Sequence, residues 1–542
     1  MRYAYLLALL FAASSASAQS PGTCEPGEAW AELDVNEVRA RLFNNGNLFS
    51  DEHHFFISHY EVPKGSGIHA NSVSRLWVGG LVDGQLRISA ADYPSGGRSW
   101  EFWPGPLDDA GNPPADCAEY DRLWKVSRTD IELYEQTGMA VPDLAEWPFD
   151  LGAPVLDGDG DPANYDLAAG DRPDIRGDQG IWWVMNDAGN EHTTTDSPPL
   201  GMEVRVLAFA YDRPDYEHAT FYEYTFVYKG QAPLEHAFVT FMTDPRIGML
   251  FDDYIGADTT LGLGLAYNAD NNDETHPDGG EGYGAAPPAV GFDFLRGPRA
   301  TDGTELGLTR FGYYNNNADP TGNPGTAEEH WNVMRGFWRD GECWTFGGDG
   351  RGGAECTDFV YPNSGTPEHP EPGYWSAPCA NPTCTEHVPS TDQRFVLKST
   401  GPFAMQPGEA QTLLLGIIWA RGADNFASIQ EVKRLSALYQ EAFPVATAPG
   451  AVPPPPALRL DPASPNPFCA STALRVYLPA PADVRLGVYD LLGREVARLA
   501  DGPAEAGTHR FVLDGARLPS GTYLVRLEAG RQHTTRLVTH IE

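Results

Sequence analysis

The chain is predicted to be a mainly β protein built of several antiparallel β-sandwiches with long loops, and three observations carry that reading. Short runs rich in β-branched and aromatic residues alternate apolar and polar positions, the pattern of a sheet with one buried face. They are punctuated by 58 Gly and 46 Pro, the residues that end strands and shape turns. Hydrophobic residues make up 41% of the chain and 13 residues are Trp, enough apolar mass for packed cores rather than disorder.

The elements follow in chain order. Met1-Arg2, the apolar run Leu6 to Ala13 and the small residues Ala16-Ser17-Ala18 ahead of Gln19 make the pattern of a cleavable secretory signal peptide over 1–18. That run is far below the roughly 20 residues a bilayer crossing needs, and no other stretch predicts a transmembrane segment. Residues 19–200 read as an aromatic-rich β region, with Trp77, Trp103, Trp124, Trp182 and Trp183 in its densest blocks. Residues 201–446 read as a second sandwich. Its strands are predicted at Val204 to Tyr211, Thr220 to Tyr228, Ala237 to Met242, Phe395 to Lys398 and Thr412 to Ala420. A segment rich in Gly, Asn, Asp and Pro, 262–392, reads as a long loop insertion. One helix closes this second region, Asn425 to Phe443, with Ile429, Val432, Leu435, Leu438 and Tyr439 on one stripe. Four consecutive prolines inside 447–457 predict an extended, semi-rigid linker.

The last 85 residues, 458–542, read as a small sandwich of their own. Its strands are predicted at Leu474 to Leu478, Val484 to Tyr489, Glu495 to Leu499, His509 to Leu513, Thr522 to Leu527 and His533 to Thr539. Asn466-Pro467-Phe468, the run Val488 to Arg494 with Tyr489, Asp490, Gly493 and Arg494, the run Leu518 to Tyr523 with Gly521 and Tyr523, and the ending Arg536-Leu537-Val538 form a specific set. On these residues the tail resembles the C-terminal type A sorting domain of the type IX secretion system, found on secreted proteins of Bacteroidetes and their relatives. The resemblance implies an immunoglobulin-like β-sandwich, export through the inner membrane, and the type IX secretion machinery as a partner that delivers the protein to the cell surface or medium. It covers about a sixth of the chain. The cargo resembles large secreted proteins that carry the same tail, a resemblance that supplies no catalytic residue.

The charge is divided unevenly. The whole chain carries −38; the tail holds ten Arg, no Lys and nine acidic residues, so residues 1–457 carry −39. A cargo this acidic is repelled by nucleic acid and by anionic membranes, and it is compatible with cation binding. Seven Cys in an exported chain predict disulfides. Cys343 with Cys356 and Cys379 with Cys384 close small loops, Cys24 with Cys117 is the long-range pair, and Cys469 is left over. A zinc site from Cys343, Cys356, Cys379 and Cys384 is the rival reading, weakened by the absence of paired CxxC knuckles.

The sharpest chemical candidate is Asp157-Gly158-Asp159-Gly160-Asp161, followed by Asp166, Asp171, Asp174 and Asp178. Carboxylates at i, i+2 and i+4 on a Gly-containing loop can converge on Ca²⁺, which takes six to eight oxygens. The EF-hand pattern is not met, since Pro162 stands at the sixth loop position and Ala168 at the twelfth. Asp244, Asp252, Asp253 and Asp258 form a second candidate calcium set, because close carboxylates repel unless protonated or neutralised. Asp270, Asp273, Glu274 and Asp278 form a third, read as a loop. The alternatives at each are Asp side chains bonded to their own backbone or solvated acidic turns. There is no GxSxG, HExxH or phosphate-loop motif. His53-His54 beside Asp51 and Glu52 would point to opposite faces of a strand.

The sequence therefore predicts a calcium-stabilised, exported binding or structural protein with a surface glycan or protein ligand. The alternative is a carbohydrate-active enzyme or carbohydrate-binding protein using Asp pairs and exposed Trp.

Overall fold

A computed structural model describes residues 22–50, 58–92, 100–249, 252–276, 280–346, 350–363 and 394–443 of the cargo. In the tail it describes 459–460, 468, 471–478, 482–490, 494–504, 507–515, 518–529 and 532–541. The expected signal peptide (1–18), His53-His54, Asp278, Cys379, Cys384, Cys469 and the expected linker (447–457) lie outside the described residues. The chain divides into two compact units, Met1–Pro444 and Val445–Glu542, so the expected cargo–tail boundary falls at the start of the proline-rich stretch.

Two large antiparallel sheets make the cargo. The first runs Trp30–Leu33, Arg39–Phe43, Asn47–Leu48, His69–Val82, Leu234–Pro245, Arg394–Met405 and Arg310–Asn315, with Tyr60–Glu61 and Gln85–Ala90 paired alongside. The second runs Asp253–Asp258, Leu263–Asn268, Ala289–Arg296, Ala410–Ala420, Ala219–Tyr228, Met202–Ala210, Gln179–Asn186 and Trp103–Pro104, with Trp124–Ser127 on Gln179–Asn186.

Their inner faces meet through aromatic rings. Phe241 of the first sheet packs edge-on against Tyr224 at 4.9 Å and Phe294 at 6.0 Å of the second. The Tyr60 hydroxyl lies 3.0 Å from Thr220 Oγ1. Alternation sorts the second sheet as expected of a pleat. Leu413, Leu415 and Ile417 join the inter-sheet core, while Leu414 and Ile418 turn outward to a second apolar cluster.

Helices cover the outer faces. Ala327–Met334 sits on the first sheet, with Trp331 edge-on to Phe238 at 5.7 Å and His330 edge-on to Trp77 at 4.7 Å. Asn425–Ala442, capped by Asp424 Oδ1 accepting from Ala427 N at 2.7 Å, sits on the second. Gly291 lets that helix approach, since a Cβ there would overlap the Val432 side chain.

Three expectations are corrected by this topology. Residue 200 is no domain boundary, because Gln179–Asn186 and Met202–Ala210 are adjacent partners in one sheet and His69–Val82 pairs with Leu234–Pro245. The stretch 262–392 is not one loop, for it supplies the strands Leu263–Asn268, Ala289–Arg296 and Arg310–Asn315 and the helix Ala327–Met334. A zinc site on Cys343 and Cys356 is overturned, since these two form a disulfide, as do Cys24 and Cys117. No helix among the described residues is long and apolar enough to cross a membrane.

The C-terminal unit is a separate sandwich. Arg459–Leu460, Ser471–Leu478 and Gly507–Asp514 form one sheet; Glu495–Ala504, Ala482–Tyr489, Gly521–Ala529 and Gln532–His540 form the other. Leu474, Val476, Val484, Leu486, Val488, Val525, Leu527 and Val538 fill its core.

Candidate functional site

The acidic loop of the cargo begins where Val155–Leu156 pairs with Arg172–Pro173. This short ladder brings Asp171 back over Asp157 and Asp159, and ligand oxygens of the three carboxylates lie within 4.8 Å of one another. No other such set of three occurs among the described residues. Backbone amides fix the geometry. Asp157 Oδ1 accepts from Asp159 N at 3.1 Å and Gly160 N at 2.6 Å, and Asp159 Oδ1 accepts from Asp161 N at 2.8 Å. Asp171 Oδ1 accepts from Gly158 N at 2.9 Å, and its Oδ2 accepts from Asp166 N at 2.7 Å. Those amides hold the Asp171 carboxyl below the usual range, because hydrogen bonds to a carboxylate favour its charged form.

Asp171 is buried, whereas Asp157 and Asp159 face solvent. The Asn164 carboxamide lies among acceptors: one end is 3.3 Å from Asp159 Oδ2, and its amide nitrogen, once turned, lies 3.0 Å from both Asp161 O and Asp171 Oδ2. Asp161 does not join the three; its Oδ1 instead accepts from Ala163 N at 3.1 Å. An all-oxygen set of this kind suits a hard cation such as Ca²⁺. Sequence spacing placed Asp171 in the same acidic run as Asp166, Asp174 and Asp178 without singling it out; the pairing of 155–156 with 172–173 is what brings it to Asp157 and Asp159.

The second predicted set is split. Asp258 lies at the far end of Asp253–Asp258, bonded to Thr260 N and Leu261 N and paired with Lys433 Nζ at 3.0 Å. Asp244, Asp252 and Asp253 do come near one another, joined by Asp273, but their oxygens do not form a close set of three. The metal reading is therefore kept for the first loop alone.

The tryptophans of the aromatic-rich blocks, which the alternative carbohydrate reading needs exposed, are interior. Trp77, Trp103, Trp124, Trp182 and Trp183 are all at most 6% exposed. Among the described residues the exposed tryptophan is Trp30, at 53%, with the Arg41 guanidinium 4.1 Å above its ring.

In the tail, the motif residues that are described hold the domain together. Phe468 is buried and runs alongside the end of Gln532–His540, donating from its N to Thr539 O at 2.9 Å and accepting at its O from Ile541 N at 2.9 Å. Asp490 clasps Arg494, accepting from its N at 2.9 Å and its Nε at 2.7 Å. Tyr489 ends the strand Ala482–Tyr489 and Gly521 begins Gly521–Ala529. The Tyr523 hydroxyl donates to Pro519 O at 2.6 Å. Asn466, Pro467 and Gly493 lie outside the described residues.

A family model described as the FlgD Ig-like domain matches residues 469–533. No curated protein matches the chain. Among solved structures it is similar to a polysaccharide lyase, at 9% identity over 62% of this chain and 34% of that one, with a TM-score of 0.19. It is also similar to the dimeric latent PorU from Porphyromonas gingivalis, at 9% identity over 67% of this chain and 31% of that one, with a TM-score of 0.15. The chain spans about a third of the length of these structures, and likenesses this low carry no argument about the cargo. The matched segment and the two-sheet core agree on one point: residues 459–541 form an Ig-like β-sandwich.

Proposed function

We propose that the protein is exported and delivered to the cell surface or medium through its C-terminal domain by type IX secretion, and that its cargo is a calcium-stabilised binding or structural module. The observation that carries the calcium reading is the convergence of Asp157, Asp159 and Asp171 on one small volume. Ionised carboxylates held that close repel one another unless a cation neutralises them. A cation bound there ties two loop turns to the Arg172–Pro173 strand and so favours the folded cargo by mass action.

The targeting part rests on the tail motifs and on the signal-peptide pattern of 1–18. Deleting 458–542 leaves the cargo in the periplasm on this reading; its normal appearance outside the cell refutes the assignment. For calcium, the mature protein is unfolded thermally with calcium and with chelator, beside an Asp171→Asn variant. Calcium raises the midpoint of the parent and not of the variant. An unchanged parent midpoint sinks the proposal.

A further inference from the structure

The two sheets of the cargo are also joined by a buried histidine outside the acidic clusters. His192 follows the strand Gln179–Asn186 of the second sheet, on the segment that leads to Met202–Ala210, and its ring reaches the strand Gln85–Ala90 of the first. Its side chain is closed to solvent. Nδ1 lies 3.0 Å from Ile88 O, and Nε2 lies 2.7 Å from Asp187 O. Both partners are backbone carbonyls, which only accept. A neutral imidazole has one N–H and one lone pair, so it satisfies one carbonyl and turns its lone pair on the other; an imidazolium donates to both.

The surroundings supply the counter-charge. Glu101, also closed to solvent, has its Oε2 3.7 Å from His192 Nδ1. Its Oε1 accepts from Thr194 N at 2.9 Å and Thr195 N at 2.8 Å, and its Oε2 accepts from Ala90 N at 2.7 Å, the pattern of an ionised carboxylate. The Asp187 carboxylate is held in the same way. Gly201 N and Met202 N donate to its Oδ1 at 3.0 and 2.6 Å, and Leu200 N and Ser89 Oγ donate to its Oδ2 at 2.6 and 2.7 Å. The Trp103 indole stacks on the imidazole with ring centroids 5.8 Å apart. Beyond Glu101 stand His330, which feels the Glu101 charge, its partner Asp92, and Arg75, which donates to Asp92 O. Arg87, on the strand itself, is turned to Pro199 O at 2.8 Å, while Glu191 and Asp196 face solvent.

We infer that His192 is held as an imidazolium in the folded cargo and that its second proton is a pH-sensitive fastener between the two sheets. With that proton the ring bonds the strand Gln85–Ala90 to the residue after Gln179–Asn186. Without it, one of the two bonds becomes a contact between lone pairs, and a buried carbonyl loses its donor. An unfolded histidine releases its proton near pH 6.5. The fastener therefore contributes fully below that pH, and its contribution is lost as pH rises through the value at which the folded ring deprotonates. Neither calcium nor export enters this reading.

Denaturant unfolding of the intact mature protein and of His192→Gln, from pH 6 to 9, tests it. Gln donates to one carbonyl and does not titrate, and groups common to both proteins cancel in the ratio of their unfolding constants. The variant unfolds more readily at pH 6, and its excess shrinks about tenfold per pH unit above roughly 6.5 until the folded ring itself loses the proton. An excess that is the same at pH 6 and pH 8.5 marks a ring that only fills space, and overturns the inference. Should His192→Gln not fold, nitrogen-15 NMR of ring-labelled histidine in the parent decides at about pH 7.5, where an ordinary histidine is mostly neutral. The ring in contact with the Trp103 indole then carries hydrogen on both nitrogens; a single hydrogen there overturns the fastener.

Discussion

Asp293 offers the sharpest quantitative prediction. It lies on the strand Ala289–Arg296, beneath the helix Asn425–Ala442, with no exposure to solvent. Ser436 Oγ donates to its Oδ2 at 2.6 Å, and Gln440 Nε2 reaches Oδ2 at 3.1 Å and Oδ1 at 3.3 Å. Burial outweighs those bonds and pushes the carboxyl up to about 7, from an ordinary 3.8. A raised acid costs stability wherever the unfolded chain has released its proton and the folded chain has not. The loss begins near pH 4, grows to about pH 7 and is constant above. At about 1.4 kcal/mol per unit the cost approaches roughly 4 kcal/mol at pH 8 and about 1.5 kcal/mol at pH 5. Asp293→Asn removes the titration and keeps one acceptor for Ser436, at a hydrogen-bond rearrangement cost of about 1 kcal/mol. The variant is therefore more stable than the parent at pH 8 by a few kcal/mol and nearly equal to it at pH 5. Denaturant unfolding followed by near-ultraviolet circular dichroism reads the difference. A variant destabilised by the same amount at both pH values refutes the reasoning.

Other perturbations follow from single contacts. Replacing Cys343 and Cys356 together with Ser opens a loop of sequence separation 13 and costs roughly 3 kcal/mol, seen as an unfolding midpoint below that of the oxidised parent but, with Cys24–Cys117 still closed, above that of the fully reduced parent. Ser127→Ala removes a capping box in which Ser127 and Asp130 cap each other, costing about 1 kcal/mol and raising exchange in the first turn of Arg128–Thr137. His330 lies buried, its Nε2 2.9 Å from Asp92 Oδ2. Burial lowers its pKa, but the Asp92 bond and charge overcome this and raise it. The resulting stability is complete below about pH 6.5 and fades as pH climbs through the raised value, so His330→Asn costs more at pH 6 than at pH 9 in the same unfolding assay.

Much of the fold was legible because half-buried strands announce themselves. Thr220 to Tyr228 became Ala219–Tyr228, Thr412 to Ala420 became Ala410–Ala420, and the helix Asn425 to Phe443 ended one residue earlier at Ala442. Leu263–Asn268 and Ala289–Arg296 were hidden for a physical reason. Both are covered on two faces, so alternation is lost, and Gly264, Gly291 and Asp293 interrupt them where Phe311 or the helix presses close. The false boundary at 200 arose because strands far apart in sequence share a sheet, as His69–Val82 does with Leu234–Pro245, and periodicity carries no record of long-range pairing.

The aspartates show most clearly what spacing can and cannot say. In sequence Asp157, Asp159, Asp252, Asp253 and Asp258 look alike, each a carboxylate near glycine. Asp258 lies five residues along a strand from Asp253, about 17 Å at the usual rise, and finds Lys433 instead. Asp252 and Asp253 each turn one oxygen away from solvent without a hydrogen bond, and burial pushes both carboxyls upward. Asp157 and Asp159 stay in water, turned inward by amides, with Asp171 brought to them by a two-residue ladder. A hard cation requires ligands that are already ionised, and the Gly158 and Asp166 amides that keep the Asp171 carboxyl below its usual range favour that state. The same residue type thus stands in an exposed acidic cluster, in an ion pair or in a partly closed acidic corner, and the choice is made by burial and by which amide lies opposite, neither of which is written in the spacing.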